Sequence, residues 1–456
     1  MLIRLVVNNL FSFGSQREFT TIPNNRLKTL NHHKYEISDD LNILKLSSIY
    51  GANGAGKSNL IKSLDLFQHL IVGEEIPLYY KKSKFKFGNQ KENSLQTFAI
   101  EFVQEGKPFY YGIQLADNVV ATEELYISGL GTKEDFLIFE RKTDSSGLTE
   151  IKFLEDFEND TKSQVLKSVL LEEFIMPNVP VLKLLSNRDN KFLIDVKKAF
   201  AWFSDTLQII TPDSKPRALA HTIDINSEFK NYAEDIMCSF NIGISSLNTE
   251  KKKIDDFFGK DNENDKDELI RELEKSPKKM LTLRSTRGDE IVVVKEGGEI
   301  WVKSLEIEHK TSNNKSATFA LTEESDGTIR LLDFVPAFKG VISREKVFFI
   351  DEIERSIHPL LIKELIKKFS LDDNTKGQLI FTTHESNLLD QELFRQDEIW
   401  FAEKDKNGIT DLYSLSDFKE HKTIDIRKGY LNGRYGSIPF LGNLTDLNWH
   451  KYDTDE

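Results

Sequence analysis

Cysteine is nearly missing from this sequence: Cys238 is the only one in 456 residues. That excludes a disulfide within the chain and fits a reducing, cytoplasmic compartment. Long hydrophobic runs are missing as well. No stretch of about 18 uncharged apolar residues occurs, so no membrane-crossing helix and no membrane partner are expected. The apolar opening MLIRLVVNNLFSF alternates and carries Arg4 and two asparagines, which reads as a first strand and not as a signal peptide. Basic charge is short, with 61 Lys and Arg against 74 Asp and Glu, a net of −13. The deficit argues against bulk adhesion to nucleic acid, where a basic face supplies most of the affinity. One local exception is Lys82, Lys84 and Lys86, which alternate with Phe85 and Phe87 and on a strand would share one face. A solvated strand face over a buried Phe pair is the favoured reading of that segment. Cys and His are too sparse for a zinc or HNH site. Sustained heptads, internal repeats and low-complexity tracts are absent too, which excludes long coiled-coil arms.

What is present is an ordinary soluble composition, 39% hydrophobic and 30% charged, with 32 Phe to fill cores. The length allows two or three domain-sized units. Residues 1–22 read as two strands around the Phe11-Ser12-Phe13 turn. Residues 41–50 form an apolar run that ends at a glycine-rich loop, and 57–72 space their apolar positions for a helix. Strands are expected at 96–103, 109–115 and 123–127. From about 160 to 285 the chain reads mostly as helices. Leu193, Val196, Phe200, Phe203 and Leu207 make one apolar helix face there, read as core. The charged stretch 250–279 reads as a loop and a short exposed helix. Strands return from 288, and 345–351 and 378–384 read as strands buried on both faces.

The strongest motif is Gly51-Ala52-Asn53-Gly54-Ala55-Gly56-Lys57-Ser58, a full match to G-x-x-x-x-G-K-[ST] between a strand and a helix. Glycines let the backbone wrap a phosphate, and the helix N-terminus adds partial positive charge. Asn53, Gly54, Ala55, Gly56, Lys57, Ser58 and Asn59 are therefore the candidate contacts for ATP. Lys57 would reach the β- and γ-phosphates, and Ser58 would ligate Mg²⁺. The second motif is Val347-Phe348-Phe349-Ile350-Asp351-Glu352, a buried strand that delivers two carboxylates at its end. Asp351 would hold the Mg²⁺, and Glu352 would polarise the attacking water. His384 ends the next strand, among Thr382, Thr383, Glu385 and Asn387, where a γ-phosphate could be sensed.

In their order and spacing these motifs resemble the ABC-type ATPase head of RecF, SMC and OLD-family proteins, over about residues 1–130 and 290–400. The resemblance implies a signature Ser-x-Gly at Ser325 and Gly327, with Glu324 where the family usually has leucine. It also implies a D-loop at Glu354-Arg355-Ser356-Ile357-His358-Pro359, His384 as the switch histidine, and a Mg²⁺-contacting glutamine that is Gln96, Gln104 or Gln114. The fold it implies is α/β, a P-loop ATPase head made from both chain ends, with a mainly helical insertion in the middle. The corresponding division is 1–155 for the first lobe, 156–286 for the insertion and 287–456 for the second lobe. The opening Asn-x-Phe-Ser-Phe, the YGANGAGKSNL loop and Gly433-Arg434-Tyr435-Gly436-Ser437-Ile438-Pro439 look like a bacterial group of RecF-like ATPases. Members of that group often sit in anti-phage or abortive-infection operons, including the PARIS and AbiL-type systems. For this chain the resemblance implies a homo-dimer or higher oligomer through ATP-sandwiched heads. It also implies a separately encoded effector of nuclease type and a trigger that is DNA or a phage protein. The alternative is a RecF-like ATPase acting on DNA. OLD-family proteins carry a Toprim nuclease after the ATPase, whereas only a short tail follows His384 here. Asp453-Thr454-Asp455 has no strand to hold it, so no nuclease is expected within the chain.

Overall fold

The computed structural model describes residues 1–73, 80, 82–88, 95–259, 263–276, 280–284, 290–418, 420–421 and 424–438. The chain divides into two compact units: Met1–Thr211, Val341–Ile353 and the chain from Leu365 onward form one, and Pro212–Gly340 with Glu354–Glu364 form the other. The first strands are β1 (Leu2–Asn8), β2 (Arg17–Thr20), β3 (Lys34–Ser38), β4 (Leu41–Leu44) and β5 (Leu46–Tyr50). Helix α1 (Lys57–Val72) follows, then β6 (Leu95–Gln104), β7 (Lys107–Ala116), β8 (Val119–Ile127), β9 (Phe136–Thr143) and β10 (Thr149–Phe153). Next come α2 (Glu155–Asn159), α3 (Thr161–Val169), α4 (Leu182–Ser186), α5 (Ile194–Ala201) and β11 (Leu207–Ile210). The second unit holds α6 (Leu219–Ile225), α7 (Ser227–Ser239), β12 (Ile244–Lys253), α8 (Ile254–Phe258), α9 (Glu263–Lys275), β13 (Met280–Arg284), β14 (Glu290–Glu296), β15 (Glu299–Lys310) and β16 (Ser316–Ala320). The chain then runs through α10 (Asp326–Ser343), β17 (Val347–Ile350), α11 (Pro359–Leu371), β18 (Gln378–Thr382), β19 (Ile399–Lys404), β20 (Thr410–Ser414) and α12 (Ile426–Leu431).

In the first unit a six-stranded sheet has the order β11-β17-β18-β5-β19-β20. All its pairings are parallel except β19 with β20. Every residue of β5, β17 and β18 is buried, which is why these strands read as apolar runs in sequence. A seven-stranded antiparallel sheet, β10-β9-β8-β7-β6-β1-β2, makes the other layer. Phe19 of β2 joins the two layers, with its ring 5.0 Å from that of Trp400 and 6.5 Å from that of Phe349. The expected α/β architecture is thus present, and both ends of the chain contribute to this unit.

The middle of the chain is mainly helical, as expected, but not wholly so. Within 160–285 the helices α3 to α9 are interrupted by β11, β12 and β13. The second unit contains a five-stranded sheet, β12-β15-β14-β13 with β16 also on β15. β12 was hard to see because only Ile244 and Leu247 turn inward, while Lys251 and Lys253 sit on its exposed edge paired with Glu296 and Glu299. Residues 260–262 and 277–279 of the charged stretch lie outside the described residues. The apolar face from Leu193 to Leu207 is core, as expected, but not one helix. α5 gives way to a π-helical turn at Trp202–Thr206, and Gln68 of α1 donates to the carbonyls of Phe203 and Leu207.

The segment 82–88 forms no strand. It is pinned as a turn by Phe11 N–H, which donates to Ser83 O, and Lys84 pairs with Asp117. Phe87 is 80% exposed, so no buried Phe pair lies beneath the lysines. Of the closing motif, Tyr435 is buried and stacks on Phe401 at 5.6 Å. Pro439 and Asp453 to Asp455 lie outside the described residues.

Candidate functional site

The glycine-rich loop leaves the carboxyl end of β5, which lies between β18 and β19 in the parallel part of the sheet. Ligands of open α/β sheets bind at such strand ends. Two of its glycines are demanded by close approach. A Cβ on Gly51 would lie 2.5 Å from Ala402 O, and one on Gly56 would lie 2.1 Å from Thr410 Oγ1. Gly56, at φ +112°, is also the N-cap of α1 and offers no side chain to the first-turn amides. Those amides and the helix dipole point where an anion would sit. Asn53 and Gly54 are exposed at the tip of the loop, with nothing within 4 Å of a Cβ on Gly54, whereas Ala55 is buried. A phosphate chain therefore fits this cradle from the solvent side.

Lys57 is buried, and its Nζ donates to Gly51 O at 2.7 Å and Ala52 O at 3.2 Å. The same Nζ lies 3.2 Å from His384 Nδ1. Ser58 Oγ donates to Asp351 Oδ1 at 3.2 Å. A serine hydroxyl and a carboxylate converging in this way are hard oxygen donors of the kind Mg²⁺ takes with waters and phosphate. Glu352 follows Asp351 with φ +52°, a left-handed conformation that costs a non-glycine residue about 1 to 3 kcal/mol. That turn brings Glu352 Oε1 to 3.7 Å from His384 Nε2, with the two side chains 35% and 36% exposed. Lys57, Ser58, Asp351, Glu352 and His384, expected together from sequence, are thus together in the first unit.

The Asn59 side chain is engaged beneath the loop. Its Nδ2 donates to Ser12 Oγ at 2.8 Å. Thr410 Oγ1 lies 2.7 Å from Ser12 Oγ and 2.8 Å from Ala55 O. Thr410 N–H also donates to Ser12 O. Ser12, Asn59 and Thr410 together form a floor under the loop. Sequence reasoning missed Thr410, which is 398 residues from its partner and carries no motif of its own. In sequence Ser12 reads only as part of the Phe11-Ser12-Phe13 turn.

Ser325 and Gly327 lie in the second unit. Ser325 Oγ accepts from Thr328 N–H at 3.2 Å, which caps the start of α10. A Cβ on Gly327 would lie 2.7 Å from Ser356 O of the D-loop segment, so glycine is required there. The Glu324 side chain is only 7% exposed and hydrogen-bonded to His309 Nε2 at 2.6 Å, which gives this carboxylate a partner where the resembling family has leucine. The three glutamines left open by the sequence bond elsewhere. Gln96 is buried and donates to Ser83 Oγ, Gln104 accepts from Thr206, and Gln114 accepts from Thr122.

Compared with known proteins, residues 46–175 and 184–390 match the family model described as "AAA domain, putative AbiEii toxin, Type IV TA system". A search of curated proteins found no match in sequence. Among solved structures, the SMC head domain from Thermotoga maritima is similar at 12% identity and a TM-score of 0.38, over 91% of this chain and 98% of that one. An SmcHead bound to the C-winged helix domain of ScpA aligns at 13% identity and a TM-score of 0.39, over 92% and 99%. An Smc head domain with an extended coiled coil, bound to the C-terminal domain of ScpA derived from Pyrococcus furiosus, aligns at 13% and 0.37, over 95% and 99%.

Proposed function

The chain belongs to the AbiEii-type AAA-domain family, whose model covers residues 46–175 and 184–390, and from that premise we propose that it is an ATP-hydrolysing switch of ABC type. The observation that carries this reading is the convergence of Lys57, Ser58, Asp351, Glu352 and His384 at the carboxyl ends of β5, β17 and β18. In this reading Lys57 leaves the loop carbonyls to neutralise the β- and γ-phosphates of ATP. Ser58 and Asp351 hold Mg²⁺, which when bound supplies Lewis-acid polarisation of the phosphoryl oxygens. Glu352 orients the attacking water and accepts its proton, and His384 senses the γ-phosphate beside it. The signature Ser325 and Gly327 serve the nucleotide of a second copy, so the working form is a homo-dimer or larger. The family's description as a putative AbiEii toxin of a type IV TA system supports a role in a system of that kind, and in this reading hydrolysis would control a separately encoded effector.

The test is a pair of substitutions read by separate assays. Lys57→Ala should abolish tight ATP binding, because the charge on the phosphates is lost. Glu352→Gln should keep binding and slow turnover at least about 100-fold, the usual range for a lost general base. Wild-type ATP affinity in the first variant, or unchanged turnover in the second, would overturn the assignment.

A further inference from the structure

Thr382, at the end of β18, has no solvent-exposed surface. Its Oγ1 donates to Asp351 Oδ1 at 2.5 Å and accepts from Glu352 N–H at 2.8 Å. Its carbonyl oxygen accepts from Ile353 N–H at 3.2 Å. One residue on the neighbouring strand therefore holds three consecutive residues of the acidic turn. Two features make the hydroxyl more than a packing contact. Glu352 sits at φ +52°, a conformation that persists only where the surroundings enforce it, and Thr382 Oγ1 is bonded to its amide. Asp351 Oδ1 also accepts from Ser58 Oγ. Ser58 can keep that donation while a lone pair of its oxygen faces a cation, so the Thr382 and Ser58 hydroxyls together would orient one oxygen of the carboxylate.

We infer that Thr382 is a positioning residue for hydrolysis, one hydroxyl that sets both the cation-binding carboxylate Asp351 and the water-orienting Glu352. This rests on the ATPase reading above. Wild-type turnover and its loss in Lys57→Ala test that reading separately, before any change at Thr382 is scored. Thr382→Val keeps the shape and removes the hydroxyl, while Thr382→Ser keeps the hydroxyl and removes a methyl group. Partners that orient a metal-binding carboxylate usually contribute about 10- to 100-fold to metal affinity or activity. The valine variant should therefore lose kcat by about that factor and, in calorimetric titration with a non-hydrolysable ATP analogue, bind Mg²⁺ more weakly by a similar factor, with KM for ATP nearly unchanged. The serine variant should restore both quantities. Should the valine chain not fold, Thr382→Ala is read against serine in the same assays. The inference is overturned if the variant lacking the hydroxyl keeps its kcat and its Mg²⁺ affinity. It is equally overturned if serine, folded as stably as wild type, falls as far as valine or alanine.

Discussion

At the scale of single residues, the loop is shaped by close approach as much as by glycine freedom. Thr410 Oγ1 occupies the space a side chain at Gly56 would need, and it hydrogen-bonds to Ala55 O and Ser12 Oγ. Replacing Thr410 by valine preserves volume but strands the buried Ala55 carbonyl, a cost of about 1 to 3 kcal/mol. The strain falls on the loop that receives phosphate. Thr410→Val should thus weaken ATP binding by about 5- to 150-fold at that energy while the β19–β20 hairpin stays folded. Calorimetric titration with ATP decides it, and undiminished affinity would remove Thr410 from the loop's support. Glu324 teaches the complementary lesson. In sequence it reads only as a departure from leucine, and nothing local announces that His309, fifteen residues earlier on β15, is its partner.

At the scale of elements, what the sequence reveals follows from which interactions are local. α1 spans Lys57–Val72 as its apolar spacing predicts, and β17 and β18 are the buried runs expected. Those signals are carried by consecutive residues. The strand order that places β18 between β5 and β17, and the meeting of Ser12 with Thr410, depend on chain segments hundreds of residues apart. β12 escaped because its polarity reflects an exposed sheet edge, and the 82–88 turn because its contacts are tertiary.

The start of β19 shows a further device of this kind. Glu398 is buried beside His33, which lies 2.9 Å from both its carboxylate oxygens. Burial pushes the Glu398 carboxyl above the usual range, although His33 opposes the shift. The native state therefore holds the proton more readily than the unfolded chain does. The stabilisation is complete below the ordinary carboxylate value and is lost as pH rises through the raised one. Glu398→Gln removes that titration. The stability of wild type relative to Glu398→Gln should fall with rising pH across this window in denaturant melts. A difference that stays flat with pH would show that Glu398 does not titrate as its burial requires.

At the scale of the whole molecule, the proposed chemistry is divided between two parts of the sequence. The phosphate loop, the acids and the switch histidine belong to the first unit, and Ser325 with Gly327 belongs to the second. If the signature serine of one copy completes the nucleotide site of another, each site needs one subunit's Lys57 and the other's Ser325. Lys57→Ala and Ser325→Arg would then each be inactive alone, for different reasons. A mixed dimer would hold one site with both defects and one with neither. Random exchange at equal amounts makes about half the dimers mixed, so the mixture should recover about a quarter of wild-type turnover per subunit under twofold symmetry. Dilution separates this from simple coexistence, because a shared site loses activity per subunit as dimers dissociate. Chains that stay inactive when mixed, although shown by mass to exchange partners, would mean that Ser325 does not serve a neighbour's nucleotide. Activity per subunit that survives dilution to a proven monomer would place every group needed for hydrolysis within one copy.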